Sequence, residues 1–195
     1  MDFSVTKLWC HHLQLHSESY EISQDYKFLE GDVRKHLFPA EIEPGQIIEI
    51  VKQLEKPDSG FKLTDLKRVL HVNADKLIRL INATQILAFT KIHDGRVWLG
   101  KRGLELNKMP DHEKKKIFKE RLSLVEPFRT ALEIARKDRE NLFSNKVSSL
   151  LYKKDLRWAD DEELNELLVH EILLDWSVFT GLFMYDGKTD RFILS

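Results

Sequence analysis

Apolar residues recur at helical spacing along most of the chain from residue 44 onward. Ile47, Ile50, Val51 and Leu54 form one stripe behind Pro44, and a proline suits the first turn of a helix because its missing N–H is unpaired there anyway. Pro57-Asp58-Ser59-Gly60 ends that helix. A short second helix after Thr64 turns Leu66, Val69 and Leu70 inward. Asn73 caps a third, whose Leu77, Leu80, Ile81 and Thr84 share a face. Two extended runs, Phe89–His93 and Arg96–Leu99, then flank Asp94-Gly95, a pair suited to a tight hairpin because both turn positions need positive φ. Three small helices and a hairpin predict a winged-helix-like unit over residues 41–109.

Residues 110–195 repeat the plan with longer helices. Ile117, Phe118, Leu122 and Val125 face inward from the first, and Phe128, Ala131, Leu132 and Ala135 from the second, which starts at Pro127. Ser144 caps a short helix carrying Val147, Leu150 and Leu151. Asp160 and Glu163 have capping-box spacing before a long helix with Leu164, Leu167, Leu168 and Ile172 inward. Residues 181–185 and 191–194 flank a looser turn and close a second winged-helix-like unit. Residues 1–40 are poorly patterned. The fold class expected is mainly α with small β-hairpins, an α+β arrangement of two units.

Composition narrows the classes of function. Among 195 residues, 31 basic and 32 acidic side chains leave a formal charge of -1, so whole-chain electrostatics selects neither nucleic acid nor membrane. The single cysteine rules out an internal disulfide framework. No apolar run reaches the roughly 18–20 residues of a membrane helix, and Met1-Asp2 does not open a secretory signal. The expectation is a soluble, cytoplasmic protein without membrane insertion.

Three segments carry a family resemblance: Leu99-Gly100-Lys101-Arg102-Gly103, the run Asp111 to Leu122 (DHEKKKIFKERL), and Leu174-Asp175-Trp176 leading into Leu182-Phe183-Met184-Tyr185-Asp186. From about Pro39 to Leu194 the chain resembles the C-terminal AAA-associated domain appended to the ATPase subunits of nitrate/sulfonate/bicarbonate-type ABC transporters. Gly100 stands where a threonine is common after winged-helix hairpins, and the sequence carries no ATPase half. The resemblance implies a winged-helix-like accessory module beside a transporter ATPase, with no established reaction.

No segment meets the needs of a catalytic or cofactor site. Gly95-Arg96-Val97-Trp98-Leu99-Gly100-Lys101-Arg102 satisfies G-x-x-x-x-G-K, but Arg102 replaces the hydroxyl that must reach magnesium, and Gly95 belongs to a hairpin turn. Cys10, His11, His12, His16 and His36 are metal-ligand types, with His12 and His16 four apart and Cys10 a soft ligand, but zinc-finger spacing is missing. No metal is assigned, and a metal-sensing N-terminus stands as the minor alternative. Nothing marks a base or orienting group for Cys10. The chain is expected to be no enzyme, without cofactor or small-molecule site.

Charge is unevenly spread. Residues 44–122 hold 17 basic against 10 acidic side chains, whereas residues 154–195 hold 4 against 10. In the first unit Lys76, Arg79 and Asn82 project from the third helix, and Lys91 and Arg96 lie in the hairpin. Such an array is the candidate nucleic-acid face, since a recognition helix and a basic wing are how winged helices hold DNA. The corresponding helix of the second unit carries Glu162, Glu163 and Glu166, which phosphates would repel. These three form the candidate protein-docking face. The leading expectation is a non-enzymatic interaction module contacting an ABC-type ATPase or a second copy of itself. The alternative is a DNA-binding transcription regulator using the first unit. Trp98, Trp158, Trp176, Phe179, Phe183 and Tyr185 are assigned mainly to packing, with Phe179 and Phe183 also weighed as a docking face.

Overall fold

A computed structural model describes residues 37–55, 60–139 and 142–195. Helix α1 (Pro44–Gln53) leads into a two-residue strand β1 (Phe61–Lys62), helices α2 (Leu63–Val69) and α3 (Ala74–Ile86), and strands β2 (Thr90–His93) and β3 (Arg96–Leu99). The three strands are antiparallel neighbours in the order β1-β3-β2. Asp94 and Gly95 have φ of 51° and 66°, as the tight turn between β2 and β3 requires. Asn73 accepts the Lys76 N–H at 2.8 Å, capping α3.

Helices α4 (Lys101–Lys108) and α5 (Asp111–Leu122) connect the first half to the second. Helices α6 (Phe128–Lys137), α7 (Ser144–Lys153) and α8 (Glu162–Thr180) follow, and strands β4 (Phe183–Asp186) and β5 (Arg191–Leu194) close the chain. The second half thereby repeats the order of the first. Even β1 has a counterpart: Phe61 pairs with Val97 on β3, and Leu142 bridges Phe192 on β5. The architecture is mainly helical with two small antiparallel sheets.

One hydrophobic core runs through both halves. The Phe118 ring on α5 lies edge-on to Phe89, with centroids 5.1 Å apart, and reaches Trp176 of α8 at 5.7 Å. Arg121, buried on the same helix, donates from Nε to the Leu87 carbonyl at 3.0 Å. Ahead of α1, Phe38 is fully buried against Phe128 and Trp176. Its N–H donates to the Glu126 carbonyl at 2.8 Å. The Glu126 carboxylate, also buried, accepts the Arg129 Nε at 2.9 Å and the Thr130 N–H at 3.0 Å, with Lys154 Nζ at 3.7 Å. Every buried oxygen in this hub has a donor, the condition under which a buried charge is tolerated.

Several expectations shift. Helix α4 was not expected, and its Gly103 explains why: a Cβ there would lie 2.3 Å from the Phe89 carbonyl oxygen, so close packing enforces a residue that reads as a loop signal. Val69 and Leu150 are exposed rather than inward. On α8 the buried side is Asn165, Val169, Ile172, Leu173 and Trp176, so of the four residues expected inward Ile172 is buried, Leu168 is half-buried, and Leu164 and Leu167 are exposed. The cap of α8 is Asp161, which accepts the Leu164 N–H at 2.8 Å. Phe183 is buried, and Phe179 packs on Phe118 and Trp176, so this pair belongs to the core.

Candidate interaction surfaces

The basic face is built on α3 and the β2–β3 hairpin. Leu77, Leu80 and Ile81 turn α3 onto the core, which leaves half-buried Lys76, Arg79 and Asn82 on its flank. Glu41 meets two of them. Its carboxylate lies 3.0 Å from the Arg79 guanidinium, and its carbonyl accepts from Lys76 Nζ. Lys91 is exposed on β2 opposite Trp98, and Arg96 on β3 stands opposite His93. Arg96 donates to the Gly60 carbonyl at 3.1 Å. The hairpin thus does not place Lys91 and Arg96 side by side. Sequence spacing could not reveal Glu41 as a partner, because the contact spans 35 residues or more.

The acidic face is built on α8. Asn165 faces the core because its side chain is satisfied there: Oδ1 accepts the Trp158 N–H and Nδ2 donates to Ser148 Oγ, each at 2.9 Å. That anchoring fixes the helix rotation. Glu162 and Glu166 then line an open groove of about 710 Å³ against α7, with Leu150, Lys146 and Lys153. Glu163 and Glu166 line a smaller hollow beside Leu167, His170 and Asp190. The three acids expected to form a docking face therefore sit around two adjoining depressions, with Glu166 shared.

Opposite the core, α8 shows a second, unexpected composition. Leu164, Leu167 and Val178 are 47%, 52% and 66% exposed, and Glu163, Glu171 and Asp175 are exposed among them. Spacings of three and four residues put all six on the outward side of one helix. Although Asp175 is exposed as a residue, partial desolvation of its carboxyl raises its pKa, and the Glu43 charge at the start of α1 pushes it the same way. The available signal was that ten of the sixteen residues from Leu164 to Phe179 are apolar, more than a single core-facing stripe of that length holds.

No group of three or more potential metal ligands occurs among the described residues. Cys10, His11, His12, His16 and His36 lie outside them. No helix among the described residues is long and apolar enough to cross a membrane.

The fold defines a class: an α+β chain of two repeated helix–strand units sharing one core, with a basic flank on one unit and an acidic helix on the other. The family model of the C-terminal AAA-associated domain matches residues 64–186, well over half of the sequence, and the chain belongs to that family. No curated protein and no solved structure matches it.

Proposed function

We propose that this chain is a non-enzymatic accessory module that works by protein contact, with its two units read as winged-helix-like. Family membership directs the partner class to ABC-type transporter ATPases, acting on the cytoplasmic side of a membrane. The observation that carries the contact reading is α8, whose exposed leucines and acidic side chains lie on one helix. Apolar residues rimmed by charge suit a protein partner, and the acids oppose nucleic acid. On the first unit, Glu41 already engages Lys76 and Arg79, which weighs against a phosphate-binding role for that flank.

The test is affinity purification of the tagged chain from its source cells. Recovery of an ABC-type ATPase or permease supports the reading. Recovery of neither, in cells that make both, overturns it. A low-salt mobility shift lost in Lys76→Ala/Arg79→Ala would instead establish the DNA reading.

A further inference from the structure

Among the described residues, none covers the outward side of α8, where Leu164, Leu167 and Val178 stay exposed. Residues 164–178 span about 21 Å of helix at a rise of 1.5 Å per residue. Along that length Leu164 and Leu167 come first, Glu171 and Asp175 follow, Val178 closes the face, and Glu163 sits at its N-terminal end. None of these three acids has an ion-pair partner among the described residues, in contrast to Asp160 with Arg157, Asp111 with Lys114, or Glu126 with Arg129. We infer that this face is a docking site for one basic amphipathic helix of a partner protein, its apolar side laid on the leucines and its lysines or arginines on Glu163, Glu171 and Asp175. This deepens the protein-contact reading and rests on it.

Charge selects the sign of the ligand. Asp175 is raised above its ordinary pKa by partial desolvation of its carboxyl and, secondarily, by the Glu43 charge at the start of α1. A cation docked beside Asp175 offsets the Glu43 contribution. Size selects a helix rather than a globular partner: the exposed side of one helix of this length offers well under the roughly 800 Å² per partner of a standard stable interface, but suits a single helix read at i, i+3, i+4 and i+7.

A second copy is the poorer occupant. Two α8 helices paired antiparallel about Glu171 would set that carboxylate against its own equivalent and Leu167 against Asp175, and like charges directly apposed oppose association. Among the described helices, α4 pairs its exposed Lys101 and Lys108 with one exposed large hydrophobic, Leu104, and α5 carries exposed Lys115 and Lys116 with none. One leucine is a poor match for the apolar content of α8.

The experiment uses the full chain and a fluorescent 18-residue peptide with leucines at i, i+3, i+4 and i+7 and lysines elsewhere. Its scrambled isomer and a version with glutamate for lysine serve as comparisons. Anisotropy should show saturable 1:1 binding of the amphipathic lysine peptide, weaker at high salt. Leu164→Ser/Leu167→Ser should weaken it roughly tenfold, equivalent to about 1.4 kcal/mol, and Glu163→Gln/Glu171→Gln should flatten its salt dependence. Amide shifts in the unsubstituted protein, which do not depend on any variant folding, should cluster within residues 162–180. Equal binding of the scrambled peptide, undiminished binding to the leucine variant, or shifts elsewhere would overturn the assignment. So would concentration-dependent self-association that the leucine variant abolishes, since the face would then belong to a second copy. If a natural partner were captured equally well by the chain and by the leucine variant, protein contact would stand and this site would fall.

Discussion

The Trp176 indole N–H donates to the Ile42 carbonyl at 2.8 Å, joining α8 to the segment ahead of α1 across 134 residues of chain. The ring is buried, edge-on to Phe38 at 4.8 Å and tilted against Phe118 at 5.7 Å. A single side chain thus contacts the N-terminal segment, the connecting helix α5 and the second unit. Trp176→Ala should destabilise by about 3–5 kcal/mol, as truncating a buried aromatic does. Trp176→Phe retains most of the ring but leaves the Ile42 carbonyl unpaired, and should cost about 1–3 kcal/mol. Urea unfolding with the slope checked for constancy measures both.

Local signals made the repeat legible. Asp94-Gly95, Pro44 and Asn73 each have a stereochemical reason to stand where they do, and each was readable without the fold. What failed had non-local causes. The rotation of α8 is set by Asn165, a polar residue drawn inward by Ser148 and the Trp158 backbone, while two leucines were left outside. Strand β1 is two residues long, too short to show alternation, and exists because β3 offers it an edge. The outward acids of α8 were visible as charge. Their association with exposed leucines was hidden by the assumption that every leucine on a helix faces the core.

Glu126 is the second long-range tie. Its carboxylate binds Arg129 and the Thr130 N–H beside Lys154, and its carbonyl holds Phe38. Glu126→Ala leaves Arg129, the Thr130 N–H and Lys154 without the carboxylate while the backbone carbonyl still holds Phe38, and should destabilise by about 3 kcal/mol, the lower end for breaking a buried charge pair. Replacing exposed Glu133 with alanine on the following helix, α6, should change stability by within about 0.5 kcal/mol, and comparing the two by urea unfolding isolates the buried network.

Charge reversal on the groove side of α8 separates association from folding. Glu162→Lys/Glu166→Lys alters side chains lining an open groove, so each change should shift stability by within about 0.5 kcal/mol. The same pair should slow partner association and reduce its salt dependence. Stopped-flow association with the captured partner, alongside thermal unfolding, reads both. Unaltered association kinetics in the folded variant would show that the groove acids are solvated surface only.

Asp175 makes an unfavourable contribution to stability whose pH dependence is fixed by its sign. Burial, then Glu43, raise its folded-state pKa above the ordinary 3.8. Below that value the group is protonated in both states and contributes nothing. As pH rises toward and through the raised folded value, the unfolded chain ionises more readily and stability is lost. Asp175→Asn should therefore be more stable than the unsubstituted chain at pH 7, with the gain shrinking toward zero as pH falls below about 3.8. Glu43→Gln should recover part of that gain. Urea midpoints from pH 3 to pH 7, with an NMR titration of the Asp175 carboxyl, test the sign directly.

Two glycines in helices should respond to the same substitution in opposite directions. Gly45 sits in the first turn of α1 with no heavy atom within 4 Å of an added Cβ. Gly45→Ala should stabilise by about 0.5 kcal/mol, because alanine loses less backbone entropy on folding. Gly103 lies within α4, where an added Cβ would stand 2.3 Å from the Phe89 carbonyl oxygen and 3.0 Å from Leu99 Cδ2. The propensity gain of up to about 1 kcal/mol is available there too, but that oxygen already accepts the Gly100 N–H at 2.8 Å. It cannot retreat without breaking the hydrogen bond that seats α4 on the first sheet. Gly103→Ala should therefore be destabilising by about 1–3 kcal/mol, the range for overpacking. It should also speed amide exchange within residues 101–108. A stabilised Gly103→Ala would mean that α4 can move off Phe89 freely, and that the close approach of helix and sheet is not what fixes glycine at this position.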